Sequence, residues 1–288
     1  MPRILIPIGG NEKKANRPEI FSKMVDLAGG ANARIVIVPT ASEEPTKRAL
    51  NYHEVFSDFN VTNIQTIHIG ARQDAGSPEL IKIINEATLF MFTGGDQLKL
   101  SSLIGGTPLH QTLLERYQAG SCIVAGTSAG AAFIPEVMIF QNNQFRRYRK
   151  GGIEMTKGLG LIHDVMFDTH FIQRSRIARL THAVSTNPAL LGMGIEENTA
   201  LLIENETRAR VIGPGTVVVL DGSAIEINHI GYAENGQPFA HTNILYSVLT
   251  SGMVYDLKRR TVVDPGSVAP PKSLVPKQKT RPSKASAA

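Results

Sequence analysis

Short apolar runs alternate with amphipathic stretches through roughly the first 170 residues of the chain. The runs are rich in Ile, Val and Phe, and polar or turn-forming residues bound them. They predict strands at 3–8, 33–40, 63–69, 88–93, 121–127 and 164–170. Helices are predicted between them at 17–29, 45–59, 77–86 and 107–119. Nearly continuous apolar strands that alternate with helices are typical of a parallel sheet covered on both faces.

The pattern changes after the last of these strands. Residues 190–263 hold shorter extended runs separated by Gly and Asn turns, which predict added strands that are partly antiparallel. The sequence contains no internal repeat. We therefore expect one α/β domain over residues 1–265, with the β-rich part as its C-terminal extension.

Composition changes this picture mainly at the C-terminus. The 288-residue chain carries 30 basic and 25 acidic side chains, a formal net charge of +5. Residues 268–288 contribute four lysines, one arginine and no acid, so the rest of the chain is formally neutral. A segment rich in Pro, Lys, Ser and Ala cannot bury a core, and we predict a disordered basic tail over 266–288. The neutral body gives no support for a nucleic-acid-binding surface.

Composition also argues against several classes of protein. No apolar run approaches the roughly 18 residues of a membrane-spanning helix. The apolar stretch near the N-terminus is shorter than the roughly 7 to 15 residues of a secretory signal, and it ends in Gly-Gly. One cysteine, Cys122, rules out an intramolecular disulfide framework and a cysteine-rich metal site. We expect a cytoplasmic protein with no membrane partner, no metal and no organic cofactor.

A G-x-S-x-G segment follows the strand predicted at 121–127. Gly126, Ser128 and Gly130 stand between this apolar strand and a run of small residues that can open a helix. Such a tight turn lifts a serine hydroxyl out of the backbone, and the helix N-terminus places amide N–H groups where an oxyanion forms. The alternative is a serine that merely occupies a turn. A phosphate-binding loop is disfavoured because no Lys-Ser/Thr pair follows the glycines.

A serine nucleophile needs a base, and His170 differs from the other seven histidines. It ends the apolar strand VMFDTH, which follows the Ser128 strand in the series, so both strand ends can share the carboxyl edge of one sheet. An acid must then orient the imidazole. Glu196 and Glu197 stand before another apolar strand, and the residues alone do not decide between them or exclude two surface glutamates.

Four ordered motifs resemble those of the cyanophycinases, in the serine peptidase family that also contains aspartyl dipeptidase. The motifs are FTGGDQ at 92–97, GTSAGA at 126–131, an Asp-x-His-Phe run with three arginines at 168–179, and GIEENT at 194–199. The resemblance extends from about residue 3 to about residue 262. It implies a flavodoxin-like fold related to the class I glutamine amidotransferase domain, with a mostly parallel sheet flanked by helices. The order Ser, His, Glu differs from the α/β-hydrolase order of Ser, acid, His.

The resemblance implies a serine-type exopeptidase that acts on cyanophycin. This polymer has a poly-aspartate backbone with an arginine joined by isopeptide bond to each β-carboxyl, and the product is the β-Asp-Arg dipeptide. A homodimer is also implied. Two alternatives stay open: an aspartyl dipeptidase-like enzyme for another Asp-containing or isopeptide substrate, and a non-enzymatic member that uses the fold for binding.

Catalytic roles follow from the same resemblance. Ser128 matches the nucleophile, His170 the general base and Glu197 the acid that orients it. We expect the oxyanion to be held by the backbone N–H of Ala129 with that of Gly94 or Gly95.

Substrate-binding roles are implied for a further set of polar residues, with acids suited to a guanidinium and arginines to carboxylates. The set is Gln97, Asp168, Thr169, Arg174, Arg176 and Arg179. Thr169 departs from the family, in which this position is usually Gln. From the residues alone, the arginines would read as the solvated face of an amphipathic helix.

Overall fold

The structure is a computed structural model that describes residues 2–142 and 148–266. Apart from Gly266, the predicted tail lies outside these residues, so both the tail and the domain boundary at residue 265 stay predictions. Within the described ranges, no helix has the length and apolar character needed to cross a membrane.

Five parallel strands form one half of a nine-stranded sheet, as the apolar pattern predicts. They are β1 (Ile4–Ile8), β2 (Arg34–Val38), β3 (Asn63–Thr66), β4 (Leu89–Phe92) and β5 (Ile123–Thr127). Their order in the sheet is β1-β5-β4-β2-β3. Every residue of β1, β4 and β5 is buried, because helices cover both faces. The carboxyl ends of β1 and β5 lie side by side, with Ile8 paired to Thr127.

The helices are α1 (Glu19–Ala28), α2 (Pro45–Ser57), α3 (Pro78–Glu86), α4 (Gln97–Ile104), α5 (Pro108–Gln118), α6 (Ala129–Phe133) and α7 (Ile177–Thr186). Four of them, α1, α2, α3 and α5, lie at the predicted amphipathic stretches, whereas α4 was not predicted. Proline occupies the first position of α2, α3 and α5, where its missing N–H costs no hydrogen bond. Thr107 caps α5 by accepting from the His110 N–H, as its position before Pro108 predicts.

The C-terminal extension continues the central sheet beyond β1. The added strands are β10 (Ala200–Glu204), β11 (Arg208–Ile212), β14 (Val254–Asp256) and β15 (Thr261–Asp264), in the order β15-β14-β11-β10-β1. They are antiparallel, as the Gly- and Asn-rich turns predict. Because β10 runs antiparallel to β1, with Ala200 opposite Ile8, the turn before β10 lies at the same edge as the end of β5.

A second sheet holds the strand that precedes His170, which corrects the prediction that this strand continues the first series. It contains β8 (Val165–Asp168), β9 (Leu191–Ile195), β12 (Val217–Asp221) and β13 (Leu245–Leu249), in the order β13-β12-β9-β8. Both edges of β5 are already paired, with β1 and β4, so β8 pairs instead with β9. A hairpin of β6 (Val137–Asn142) and β7 (Ile153–Lys157) precedes β8. The connection from β9 to β10 joins the two sheets next to the end of β1.

Candidate active site

Ser128 occupies a sharp turn between β5 and α6. Its backbone has φ 54° and ψ −113°, a strained conformation for a residue with a side chain. A Cβ at Gly126 would overlap the backbone of Gly130, and one at Gly130 would overlap the carbonyl of Phe92. Both glycines of the G-x-S-x-G segment are therefore needed for close packing. The Ser128 N–H donates to the Ile8 carbonyl at 3.0 Å, which fixes the turn to the end of β1.

His170 reaches this turn from the second sheet. It follows β8 with a φ of 48°, and its Nε2 lies 2.9 Å from the Ser128 Oγ. The His170 N–H donates to the Gly9 carbonyl at 2.7 Å, so the loop after β1 holds the backbone of the histidine. A Cβ at Gly10 would overlap the Cε1 and Nε2 atoms of the imidazole. The Gly9-Gly10 pair thus contacts both the backbone and the ring of His170.

Glu197 completes a row of hydrogen bonds with the other two side chains. Its Oε1 lies 2.6 Å from the His170 Nδ1, and its Oε2 accepts from the Asn11 amide at 2.8 Å. It lies in the turn between β9 and β10, the same connection that joins the two sheets. Glu196 is directed elsewhere, because its carboxylate accepts from the Thr216 N–H and hydroxyl at 2.8 and 3.0 Å.

The protonation states of His170 and Glu197 suit proton transfer. Burial lowers the pKa of His170 below its ordinary value, and the positive charges of Arg174 and Arg176 lower it further against the opposing effect of Glu197. The hydrogen bond from Asn11 and the one with His170 lower the pKa of Glu197. At neutral pH the site therefore holds a neutral imidazole against an ionised carboxylate.

Three backbone N–H groups near Ser128 are candidate donors for an oxyanion. Ala129 is the first residue of α6, and Gly94 follows β4 so closely to the serine that a Cβ there would lie 3.3 Å from the Ser128 Cβ. Gly95 has φ 145°, and a Cβ there would overlap the Ala41 carbonyl. Among the residues that the structure describes, no acceptor bonds the N–H of Ala129, Gly94 or Gly95.

Asp168, Arg176 and Arg179 bond to one another, and the substrate-binding role expected for them stays a prediction. Asp168 is 1% exposed, and its carboxylate accepts from Arg176 Nη1 at 3.1 Å and from Arg179 Nε at 2.9 Å. Arg176 also donates to the Thr169 carbonyl at 2.8 Å. A buried carboxylate requires such partners, because desolvation of an unpaired charge is costly. The Asp168 carboxylate therefore has its partners within the chain.

The other three predicted binding residues, Arg174, Gln97 and Thr169, lie in different parts of the structure. Helix α7 begins at Ile177, so Arg174 lies in the turn after His170 and not on a basic helix as predicted. Gln97 donates through Nε2 to the Ile139 carbonyl at 2.9 Å, which ties α4 to β6. Thr169 is buried. Of this set, Arg174 is the residue that the structure places beside Ser128.

A cavity of about 480 Å³, here called the Ser128 cavity, opens beside the serine. Six of its lining residues were predicted from the sequence as site residues: Ser128, His170, Glu197, Gly94, Gly95 and Arg174. The other lining residues were not predicted as site residues from the sequence: Asn11, Glu12, Lys14, Arg48, Tyr52 and Thr127. The polar run that directly follows β1 was a signal for three of these, since sites in α/β sheets form at carboxyl strand ends. No cluster of His, Cys, Asp and Glu suited to a metal occurs within 2–142 and 148–266.

Comparisons with known proteins identify relatives of the whole domain. A model of peptidase family S51 matches residues 4–211. A cyanophycinase of Synechococcus elongatus is 34% identical over 259 residues, which cover 90% of this chain and 80% of that protein. A cyanophycinase of Geminocystis herdmanii is 34% identical over 254 residues, 88% of this chain and 93% of that one. The resemblance predicted from the four motifs is confirmed.

The fold has relatives among solved structures. The crystal structure of a peptidase from an acI-B1 Actinobacterium superposes with a TM-score of 0.62 at 22% identity, over 87% of this chain and 97% of that one. This likeness supports the α/β architecture that the sequence predicts.

A titration of the His170 ring by NMR tests the electrostatics of the site. We expect its pKa to lie below the ordinary value of 6.5 and to rise in Arg174→Gln, because that change removes a positive charge that disfavours the imidazolium. The control is Arg259→Gln, since Arg259 is an exposed residue whose ion pair with Asp256 lies outside the site. A pKa that falls in Arg174→Gln would contradict this account.

Proposed function

The chain belongs to peptidase family S51, and we propose that it is a serine exopeptidase that hydrolyses cyanophycin to β-Asp-Arg dipeptides. The relatives that match it over most of its length are named cyanophycinases. The observation that carries the proposal is the hydrogen-bonded row of Ser128, His170 and Glu197 on the wall of a polar cavity. The homodimer and the cytoplasmic location stay predictions.

The row of side chains supports acyl transfer through a covalent intermediate. Ser128 Oγ attacks the scissile carbonyl carbon while His170 Nε2 takes the hydroxyl proton. Glu197 holds the Nδ1–H side of the ring and stabilises the imidazolium that forms. His170 then gives the proton to the leaving amine, and water hydrolyses the acyl-enzyme by the same route.

The oxyanion of the tetrahedral intermediate needs donors that are not already bonded. The N–H of Ala129 is available at the start of α6, and the N–H groups of Gly94 and Gly95 approach from the loop after β4. Loss of one such donor typically costs about 2.7 to 4 kcal/mol of transition-state stabilisation. These groups need no rearrangement to act, because the close contacts of the glycines fix their backbone.

The charges of the cavity suit the carboxylates of such a substrate. Each cyanophycin repeat presents an arginine carboxylate together with a guanidinium. Arg174 is exposed beside the site and makes no ion pair within the described part of the chain, so its planar guanidinium is available for a carboxylate. Glu12 and Glu197 add negative charge to the same walls.

Incubation with insoluble cyanophycin tests the proposed function. We expect β-Asp-Arg in the soluble fraction, identified by mass, and its complete loss in Ser128→Ala with an unchanged fold. Ser57→Ala is the matched control, since Ser57 also contacts a histidine, His53 at 3.4 Å, but lies on the exposed surface of α2. Release of another product would indicate the alternative dipeptidase, and turnover by Ser128→Ala would refute the serine mechanism.

The two glutamates of the β9–β10 turn provide a second test. Glu197→Gln should lower kcat by about a hundredfold or more, because the imidazole loses the charge that orients it and stabilises its protonated form. Glu196→Gln should stay within about threefold of the parent, since an amide oxygen can still accept from Thr216. Steady-state kinetics on a short β-Asp-Arg oligomer measure both. The reverse ranking would mean that the acid of the site is wrongly assigned.

A further inference from the structure

One wall of the Ser128 cavity contains a buried carboxylate that the proposed mechanism does not use. Glu12, in the loop after β1, is 4% exposed. Its Oε1 accepts from the Lys14 ammonium at 3.0 Å and from the Tyr52 hydroxyl, and its Oε2 accepts from the Thr127 hydroxyl at 2.7 Å. Four side chains from the β1–α1 loop, α2 and β5 thus form one connected network.

The network keeps Glu12 ionised. Burial alone would raise the pKa of its carboxyl group, but the Lys14 charge and the hydrogen bonds from Tyr52 and Thr127 lower the pKa below its ordinary value. The carboxylate therefore holds a permanent counter-charge for Lys14. The ammonium also lies 5.0 Å from the centroid of the Tyr52 ring, within the range of a cation–π contact.

Lys14 is fixed but not fully bonded. Its Nζ bonds Glu12 twice, through Oε1 at 3.0 Å and through the backbone carbonyl at 3.3 Å. An ammonium has three N–H donors, so one is left over. The side chain is 29% exposed and lines the Ser128 cavity. Because Glu12 also bonds Thr127, the residue before the serine, the ammonium has a set position relative to Ser128.

Arg48 brings a second positive charge to the same wall. It is exposed on α2, lines the cavity, and makes no ion pair with any residue in the described ranges. The two carboxylates of the cavity are already bonded, Glu12 by this network and Glu197 by His170 and Asn11. Three cations, Lys14, Arg48 and Arg174, thus face two carboxylates, and the cavity keeps a net positive charge for an incoming ligand.

We propose that Lys14, held in position by Glu12, forms with Arg48 a subsite that binds a carboxylate of the substrate next to Ser128. The two cations are specificity-determining residues, and Glu12 is a positioning residue. The identity of the substrate rests on the proposed function. A cyanophycin unit has two sources of this group, the carboxylate of its arginine and that of a chain-end aspartate.

Steady-state kinetics on a β-Asp-Arg oligomer test the subsite. Lys14→Met and Arg48→Met should each raise KM by about tenfold or more and leave kcat within about threefold, because a charge-assisted hydrogen bond to the bound substrate is lost. Lys14→Arg should restore most of the affinity. Lys47→Met is the matched control, since Lys47 is next to Arg48 on α2 but pairs with Glu44 on the surface. A KM equal to that of the parent in both methionine variants would overturn the proposal.

Binding measurements on proteins that carry Ser128→Ala identify the carboxylate. The ligands are β-Asp-Arg and its arginine carboxamide. If Lys14 binds the arginine carboxylate, the carboxamide binds about tenfold more weakly and Lys14→Met abolishes this difference. If it binds the aspartate carboxylate, Lys14→Met weakens both ligands equally. Unchanged affinity for both ligands would overturn the proposal.

Labelling of Ser128 by a serine-directed acylating reagent separates this proposal from the proposed function. If the parent leaves cyanophycin intact, the proposed function fails, but protection of Ser128 by β-Asp-Arg, which carries both carboxylates, still tests the subsite. Protection in the parent that is lost in Lys14→Met supports the subsite, whereas equal protection in both or in neither overturns it. If Lys14→Met fails to fold because Glu12 is left unpaired, the double variant Glu12→Gln, Lys14→Met replaces it.

Discussion

The close approach of the Gly9-Gly10 segment to His170 is the constraint on which the site depends. This segment directly follows β1, its carbonyl at Gly9 holds the His170 backbone, and its bare Cα at Gly10 makes room for the imidazole. Gly9 also donates to the Thr199 carbonyl in the turn that carries Glu197. Two residues without side chains thus bring Ser128 and His170, which follow strands of different sheets, into hydrogen-bond contact.

Two networks of charged side chains lie next to the catalytic residues. The ion cluster of Asp168 with Arg176 and Arg179 joins residues before and after His170, so it stabilises the turn that presents the imidazole. The Glu12 network is connected to Ser128 through Thr127, the residue before the serine. The cations Arg48 and Arg174, the backbone of Gly94 and Gly95, and Lys14 with its one unused donor line the cavity that a substrate would fill.

The positions of strands and helices could be predicted from the sequence better than the strands and side chains with which they pair. The five parallel strands and helices α1, α2, α3 and α5 followed from apolar periodicity, whereas α4 and the β6–β7 hairpin were not predicted. Ser128 and His170 stood out because each ends an apolar strand. Periodicity does not show which strand pairs with β8, since that depends on edges already occupied in the folded chain. Residue spacing likewise cannot distinguish arginines that bind a substrate from arginines that neutralise Asp168. The sequence pattern did not mark Glu12 as buried, because its burial results from α2 packing Tyr52 against the β1–α1 loop.

The rate at which a serine-directed reagent acylates Ser128 in Gly10→Ala tests the central claim most directly. A Cβ at Gly10 would displace the imidazole, so we expect the rate to fall by about a hundredfold or more as the serine loses its base. Gly30→Ala is the control, because Gly30 also has a positive φ, 63°, but a Cβ there would meet no atom within 4 Å. A folded Gly10→Ala protein that reacts at the rate of the parent would contradict the account.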